Sequence, residues 1–209
     1  MNPEDILNAV SEEVSTCTKC ELHHSRKKAV PGEGPVNSDL MFIGEGPGFH
    51  ENEQGRPFVG AAGKFLEELL ADIGLSREEV FISNVVKCRP PGNRDPLPEE
   101  VKTCTSNYLD RQIAAIDPKV IVTLGRFSMN LLLPNSKISQ VHGQAVKIHG
   151  RLVVPMYHPA AALHNGSLRP TIKQDFSQLP QMIAAAAATP ARDNRGEQED
   201  DEPTQLSLF

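Results

Sequence analysis

Four cysteines, Cys17, Cys20, Cys88 and Cys104, are all that the chain holds, and their spacing suits metal binding. Cys17-Thr18-Lys19-Cys20 is a C-x-x-C pair, and Cys88 and Cys104 supply a second, wider pair. In an intracellular protein such pairs act as thiolate ligands more often than as disulfides. Zinc and a four-iron cluster each accept four thiolates, and the spacing leaves both open. The alternative reading is four unrelated buried thiols.

A second group of residues could bind a polar ligand. Residues 43–66 run from Ile43-Gly44-Glu45-Gly46-Pro47-Gly48 through Gly55-Arg56-Pro57-Phe58-Val59-Gly60 to Gly63. Such glycines let backbone amides approach a ligand, while Pro47 and Pro57 stiffen the path. A phosphate-gripping loop fails on spacing: a Walker A ending at Gly63-Lys64 would need glycine at Phe58 and Ser or Thr at Phe65. Asn84 sits in an apolar run, so its amide is either a satisfied core group or a reader of a ligand edge. His158, like Glu45, follows directly on a strand-like run, although a lone histidine is more often structural.

These residues need elements that bring them together. Residues 39–43, 80–87 and 120–125 read as buried strands, and 145–148 with 152–156 flank His149-Gly150 as a hairpin. Asn2-Pro3 starts a helix carrying Ile6, Val10 and Val14; Phe65, Leu66, Leu69, Leu70 and Ile73 mark a second that Gly74 ends. Further helices are expected at 98–117, 126–133 and up to 188, with loops at 26–39 and after Cys88. Alternating strands and helices predict an α/β fold, a parallel sheet with helices on both faces. Gly44, Asn84 and His158 then share the sheet edge where such folds bind ligands.

With 209 residues, 39% of them hydrophobic, one ordinary core is expected, as a domain at 1–189 followed by a tail at 190–209. The first sixteen residues mix acids with apolar groups, and no run approaches the ~18 residues of a membrane span. A cytoplasmic protein with no membrane contact is therefore expected. The net charge of −6 disfavours nucleic acid as a partner, but the tail holds two arginines and six acids. The body is near neutral, so DNA would have to be met by a local patch and by helix N-termini. The polar, acidic tail should be disordered.

Gly44-Glu45-Gly46-Pro47-Gly48, Gly55-Arg56-Pro57-Phe58-Val59-Gly60, Asn84-Val85-Val86-Lys87-Cys88-Arg89-Pro90-Pro91 and His158-Pro159-Ala160 together resemble the motifs of the family 4 uracil-DNA glycosylases, the iron–sulfur members of their superfamily. The resemblance runs from about Cys17 to the helix after His158. It implies a three-layer α/β/α domain with a central four-stranded parallel sheet, and a [4Fe-4S] cluster on Cys17, Cys20, Cys88 and Cys104. It further implies excision of uracil from DNA by base flipping, leaving an abasic site.

By the same resemblance His158 donates a hydrogen bond to uracil O2, Asn84 reads the O4 and N3 edge, Phe58 stacks on the base, and Gly44, Glu45, Gly46 and Pro47 line the pocket. A related branch has aspartate where Gly46 stands, which makes Glu45 the candidate for positioning water or steadying the sugar cation. Glu51 is the analogue of the group that blocks the thymine methyl; the family commonly follows it with aspartate, whereas this chain has Asn52. Arg89, Arg94 and Lys102 would be turned toward DNA by the cluster. Residues 163–173, with Arg169 and Lys173, resemble the loop that enters the minor groove; a solvated polar loop is the competing reading. No basic insertion follows Cys88, so turnover is expected and not covalent trapping.

Gln205-Leu206-Ser207-Leu208-Phe209 resembles the pentapeptide by which bacterial repair proteins dock on the replication sliding clamp. An apolar anchor after a solvated linker suits such docking. A nucleoid-associated monomer acting on uracil-containing DNA is the resulting expectation. The rivals are a ferredoxin-like carrier, which has no use for Asn84 and His158 at one edge, a zinc-stabilised DNA-binding module without activity, and a glycosylase for another deaminated base.

Overall fold

A computed structural model describes residues 2–188. The expected disordered tail at 190–209, including Gln205, Leu206, Leu208 and Phe209, lies outside the described residues.

The apolar runs become β1 (Leu40–Gly44), β2 (Phe81–Asn84), β3 (Val120–Leu124), β4 (Val146–Ile148) and β5 (Arg151–Met156), in sheet order β2-β1-β3-β5-β4. Strands β1, β2, β3 and β5 are parallel, as predicted, and β4 adds a fifth strand antiparallel to β5. That edge strand follows from its turn: His149 and Gly150 both have positive φ, 45° and 82°, which is the two-residue geometry whose twist matches paired strands.

The helices are α1 (Pro3–Thr16), α2 (Phe49–Gln54), α3 (Ala61–Asp72), α4 (Pro98–Cys104), α5 (Asp110–Ile116), α6 (Arg126–Leu132), α7 (Ile138–Val141), α8 (Pro159–His164), α9 (Arg169–Ser177) and α10 (Leu179–Ala188). Reciprocal bonds between Asn2 and Asp5, with Pro3 in the first turn, start α1. β1 and β3 are buried along their whole length, so they need apolar side chains on both faces. Leu40, Phe42, Val122 and Val154 pack on one side against Leu66, Leu69, Ile172 and Phe176 of α3 and α9. Met41, Ile43, Ile121 and Val153 pack on the other against Val10, Val14, Leu109 and Ile113. The result is the expected three-layer α/β/α arrangement, each fully buried Leu or Phe contributing about 1.5–3 kcal/mol.

Three local expectations change. The glycine-rich stretch contains α2, started by the Glu51 carboxylate accepting from the Gly48 amide. The 98–117 helix is split by a wider π turn, Thr105–Leu109, directly after Cys104, a feature frequent near functional sites. Residues 163–173 are mostly helical, in α8, a short 3₁₀ turn and α9, and not a loop. Among the described residues no helix is long and apolar enough to cross a membrane.

Candidate active site

The carboxyl ends of the parallel strands bring Gly44, Asn84 and His158 together. Gly44 and Asn84 are register partners, and the pairing continues past them, with the Val85 amide on Gly44 O at 2.9 Å and the Val86 amide on Glu45 O at 3.1 Å. A Cβ on Gly44 would collide with Asn84 Oδ1 and stand 2.9 Å from the Phe58 ring, so only glycine lets these groups meet. Asn84 is 2% exposed, and its Oδ1 has no hydrogen-bond partner. A buried acceptor left empty costs about 1–3 kcal/mol, which a ligand donor would recover.

His158 caps α8: its Nδ1 accepts from the Ala160 amide at 3.1 Å, with Pro159 at the first helical position. Burial pulls the imidazole pKa down to about 4, against the opposing pull of the Glu51 carboxylate. The ring is neutral at physiological pH. The Phe58 ring lies nearly parallel to it, with centroids 5.4 Å apart.

Phe58 holds a positive φ of 52°, unusual for an aromatic residue. Arg77 enforces it, donating to Phe58 O at 2.9 Å and to Pro57 O while pairing with Glu33. A Cβ on Gly63 would strike the Phe58 carbonyl. The sequence reading missed Arg77 and Glu33, because they act on a loop distant in sequence and neither lies in a recognisable motif.

The carboxylate of Glu51 accepts from the amides of Gly48, Val59 and Gly60 at 3.1, 2.9 and 3.0 Å, tying the two halves of the glycine-rich stretch together. Asn52 is buried, and its Oδ1 accepts from the Lys27 amide at 2.9 Å, a task that a neutral amide performs. Glu45 is partly buried; burial pushes its carboxyl above the usual range, Asp95 adds to that, and Arg126 opposes it. Gly46 and Pro47 follow it at the same strand end, with Pro47 buried.

All four cysteines line one small cavity that is partly open to solvent, with Arg26, Lys87 and Tyr108 also on its wall. Donors already face the sulfurs: Lys19 N on Cys17 at 3.5 Å, Arg26 Nη1 on Cys88 at 3.4 Å and Lys87 N on Cys104 at 3.3 Å. Burial pushes Cys104 up to about 12 and Cys88 upward, so both ionise readily only beside a metal's charge. Among the described residues no three His, Cys, Asp or Glu are grouped to hold a single metal ion. Zinc and a four-iron cluster each take four thiolates, and the shared cavity accommodates either ligand set.

The expected DNA contacts divide. Arg89 is partly exposed, its guanidinium 5.4 Å from the ring centre of exposed Phe49. Arg94 is committed to Glu100 through two bonds of 2.9 and 2.6 Å. Arg169 and Lys173 pair with Glu68 and Asp72 of α3, at 2.7 and 2.6 Å, and not with the strand-end pocket. The structure therefore groups Gly44, Glu51, Phe58, Asn84 and His158 in one place and holds Arg169 and Lys173 against a helix.

Residues 31–179 match the profile of the Uracil DNA glycosylase superfamily. The Type-4 uracil-DNA glycosylase of Sulfurisphaera tokodaii is 47% identical over 200 residues, covering 90% of this chain and 88% of that protein. The Type-4 enzyme of Archaeoglobus fulgidus is 45% identical, over 88% of this chain and 96% of the relative. That of Thermotoga maritima is 43% identical, over 86% and 96%.

Proposed function

The chain belongs to the uracil DNA glycosylase superfamily, among its type-4 members, and on that premise we propose how its residues carry the reaction. The protein is a uracil-DNA glycosylase, a hydrolase of the N-glycosidic bond that acts on uracil-containing DNA in DNA repair. The observation that carries the residue assignment is the empty, buried Oδ1 of Asn84 beside Phe58 and the His158 ring.

Uracil presents an N3–H donor and two carbonyl acceptors. Asn84 Oδ1 accepts from N3–H, its amide nitrogen donates to O4, and cytosine, with the reverse pattern on that edge, is rejected. Cleavage leaves negative charge on the base and positive charge on the sugar. Neutral His158 donates from Nε2 to O2 as that charge grows. Glu45 steadies the sugar cation or orients the attacking water, and Phe58 stacks on the extruded base. Glu51, through its three amide bonds, fixes the loop that narrows the pocket around uracil C5. Arg89 takes a DNA phosphate; Arg169 and Lys173 would have to leave their α3 partners to do the same.

Cys17, Cys20, Cys88 and Cys104 hold a [4Fe-4S] cluster, supported by the shared cavity and by the donors facing their sulfurs. The cluster supplies a rigid cross-link between the N-terminal segment and the segments carrying Cys88 and Cys104. Gln205, Leu206, Leu208 and Phe209 dock on a sliding clamp, a reading supported by their apolar pattern after a polar linker. The protein works as a monomer in the cytoplasm, associated with the nucleoid.

The test is uracil release from a labelled oligonucleotide, read as alkali-sensitive strand breakage, with a thymine strand and His158→Ala as controls. Breakage confined to uracil and strongly reduced by His158→Ala supports the assignment. Undiminished breakage in His158→Ala removes the histidine from it.

A further inference from the structure

Lys87 is a lysine with 1% of its surface exposed, and nothing in the base-excision chemistry calls for it. Its position joins two sites. Its backbone amide donates to Cys104 Sγ at 3.3 Å, and its neighbour is Cys88. Its side chain turns inward, and the ammonium donates to Ser83 Oγ at 2.6 Å, Gln112 Oε1 at 2.7 Å and the backbone oxygen of Asn84 at 2.8 Å. An ammonium has three donors, and all three are used.

The bond to Asn84 matters most. Strand β2 is the outer strand of the sheet, and at its last residue the Lys87 ammonium donates to the carbonyl. Fixing this carbonyl fixes the peptide plane that follows Asn84, and so the backbone from which its side chain, with Oδ1 empty in the pocket, projects. The network is braced from behind: Gln112 Nε2 donates to Pro31 O at 2.7 Å, and the Val30 amide donates to Lys87 O at 2.7 Å. Gln112 is thus held by the Pro31 segment and the Lys87 backbone by Val30, so a shift of the network would be felt at the cysteine cavity and at Asn84.

We propose that Lys87 is a positioning residue through which the four-cysteine site sets the orientation of the uracil-reading amide of Asn84. This rests on the assignment of Asn84 as reader and of the cysteines as cluster ligands. The coupling is reciprocal: a ligand on Asn84 must be felt at Cys88 and Cys104.

Three holoproteins separate the possibilities, each assayed for iron, for visible circular dichroism of the cluster and for the binding of free uracil. Lys87→Met is expected to keep its iron, to bind uracil about tenfold more weakly, and to lose the change that uracil causes in the wild-type cluster spectrum. Lys87→Gln, which keeps a neutral donor, is expected to recover part of both. An iron-loaded Lys87→Met with wild-type uracil affinity overturns the proposal. Asn84→Ala is the control for the underlying reading: if it too binds uracil normally, Asn84 is not the reader, and an iron-free wild type would remove the cluster. Should neither Lys87 variant load iron, hydrogen exchange on the wild type decides. Uracil is expected to slow exchange through residues 85–88, and protection confined to the pocket loop overturns the proposal.

Discussion

The Ala160 amide donates to Nδ1 of His158 at 3.1 Å, and this one bond decides which ring nitrogen can serve the substrate. A backbone N–H can only donate, so Nδ1 must accept, and the proton of the neutral ring sits on Nε2. The helix cap therefore presets a donor, and burial keeps it from becoming a cation.

His158→Ala removes that donor. Single-turnover excision of uracil is expected to fall by about 10²–10³, the usual cost of one donor to a developing anion. Substrate binding, read by anisotropy, should change far less.

On the proposed roles, the acid limb of the rate is expected to follow Glu45 and not His158. His158 protonates only near its pKa of about 4, whereas burial lifts Glu45 above the ordinary carboxylate value. Glu45 must be ionised to act, so activity is lost as pH falls through that raised pKa. Asp95→Asn removes a repelling charge and should move the limb to lower pH; Arg126→Gln removes an attracting one and should move it higher. A pH–rate profile of each variant checks both signs.

Arg77→Met should loosen the loop that holds Phe58 in its positive-φ conformation. Arg77 has 9% of its side chain exposed and bonds to Phe58 O, Pro57 O and Glu33. Losing those bonds is expected to cost about 2–4 kcal/mol in urea unfolding, because buried acceptors and a charge lose their partner. A higher KM should accompany it, since the stacking ring is no longer preset.

Asn84→Asp exchanges a donor for an acceptor at the reading edge. Uracil excision should drop by about a hundredfold or more, and cytosine excision should become detectable. Parallel assays on uracil and cytosine oligonucleotides measure the ratio, and an unchanged ratio removes Asn84 as the reader.

Deleting residues 205–209 should abolish retention by an immobilised sliding clamp while leaving excision on short oligonucleotides unchanged. Equal retention of the truncated chain would end that reading of the tail.

Much of this was legible in the chain. The alternation of strands and helices announced the parallel sheet, and the stops of two apolar runs marked where Gly44 and His158 would stand, whereas the run over 80–87 places Asn84 inside a strand that the structure ends at that residue. The His149-Gly150 turn likewise announced the hairpin, although not that its first strand would extend the sheet.

Periodicity, turn residues and motif spacing are local properties of the chain, and from them came the strands, most of the helices and the chemistry on offer, though not α2, the π turn after Cys104 or the helices over 163–173. Only the tertiary structure decided that Arg77 and Glu33 hold Phe58, that Arg169 and Lys173 face α3, and that the Lys87 ammonium turns inward to Asn84. Each of those depends on which distant segments share a space. A charged side chain reads alike in sequence whether it meets solvent, a helix carboxylate or a buried carbonyl, and packing alone makes that choice.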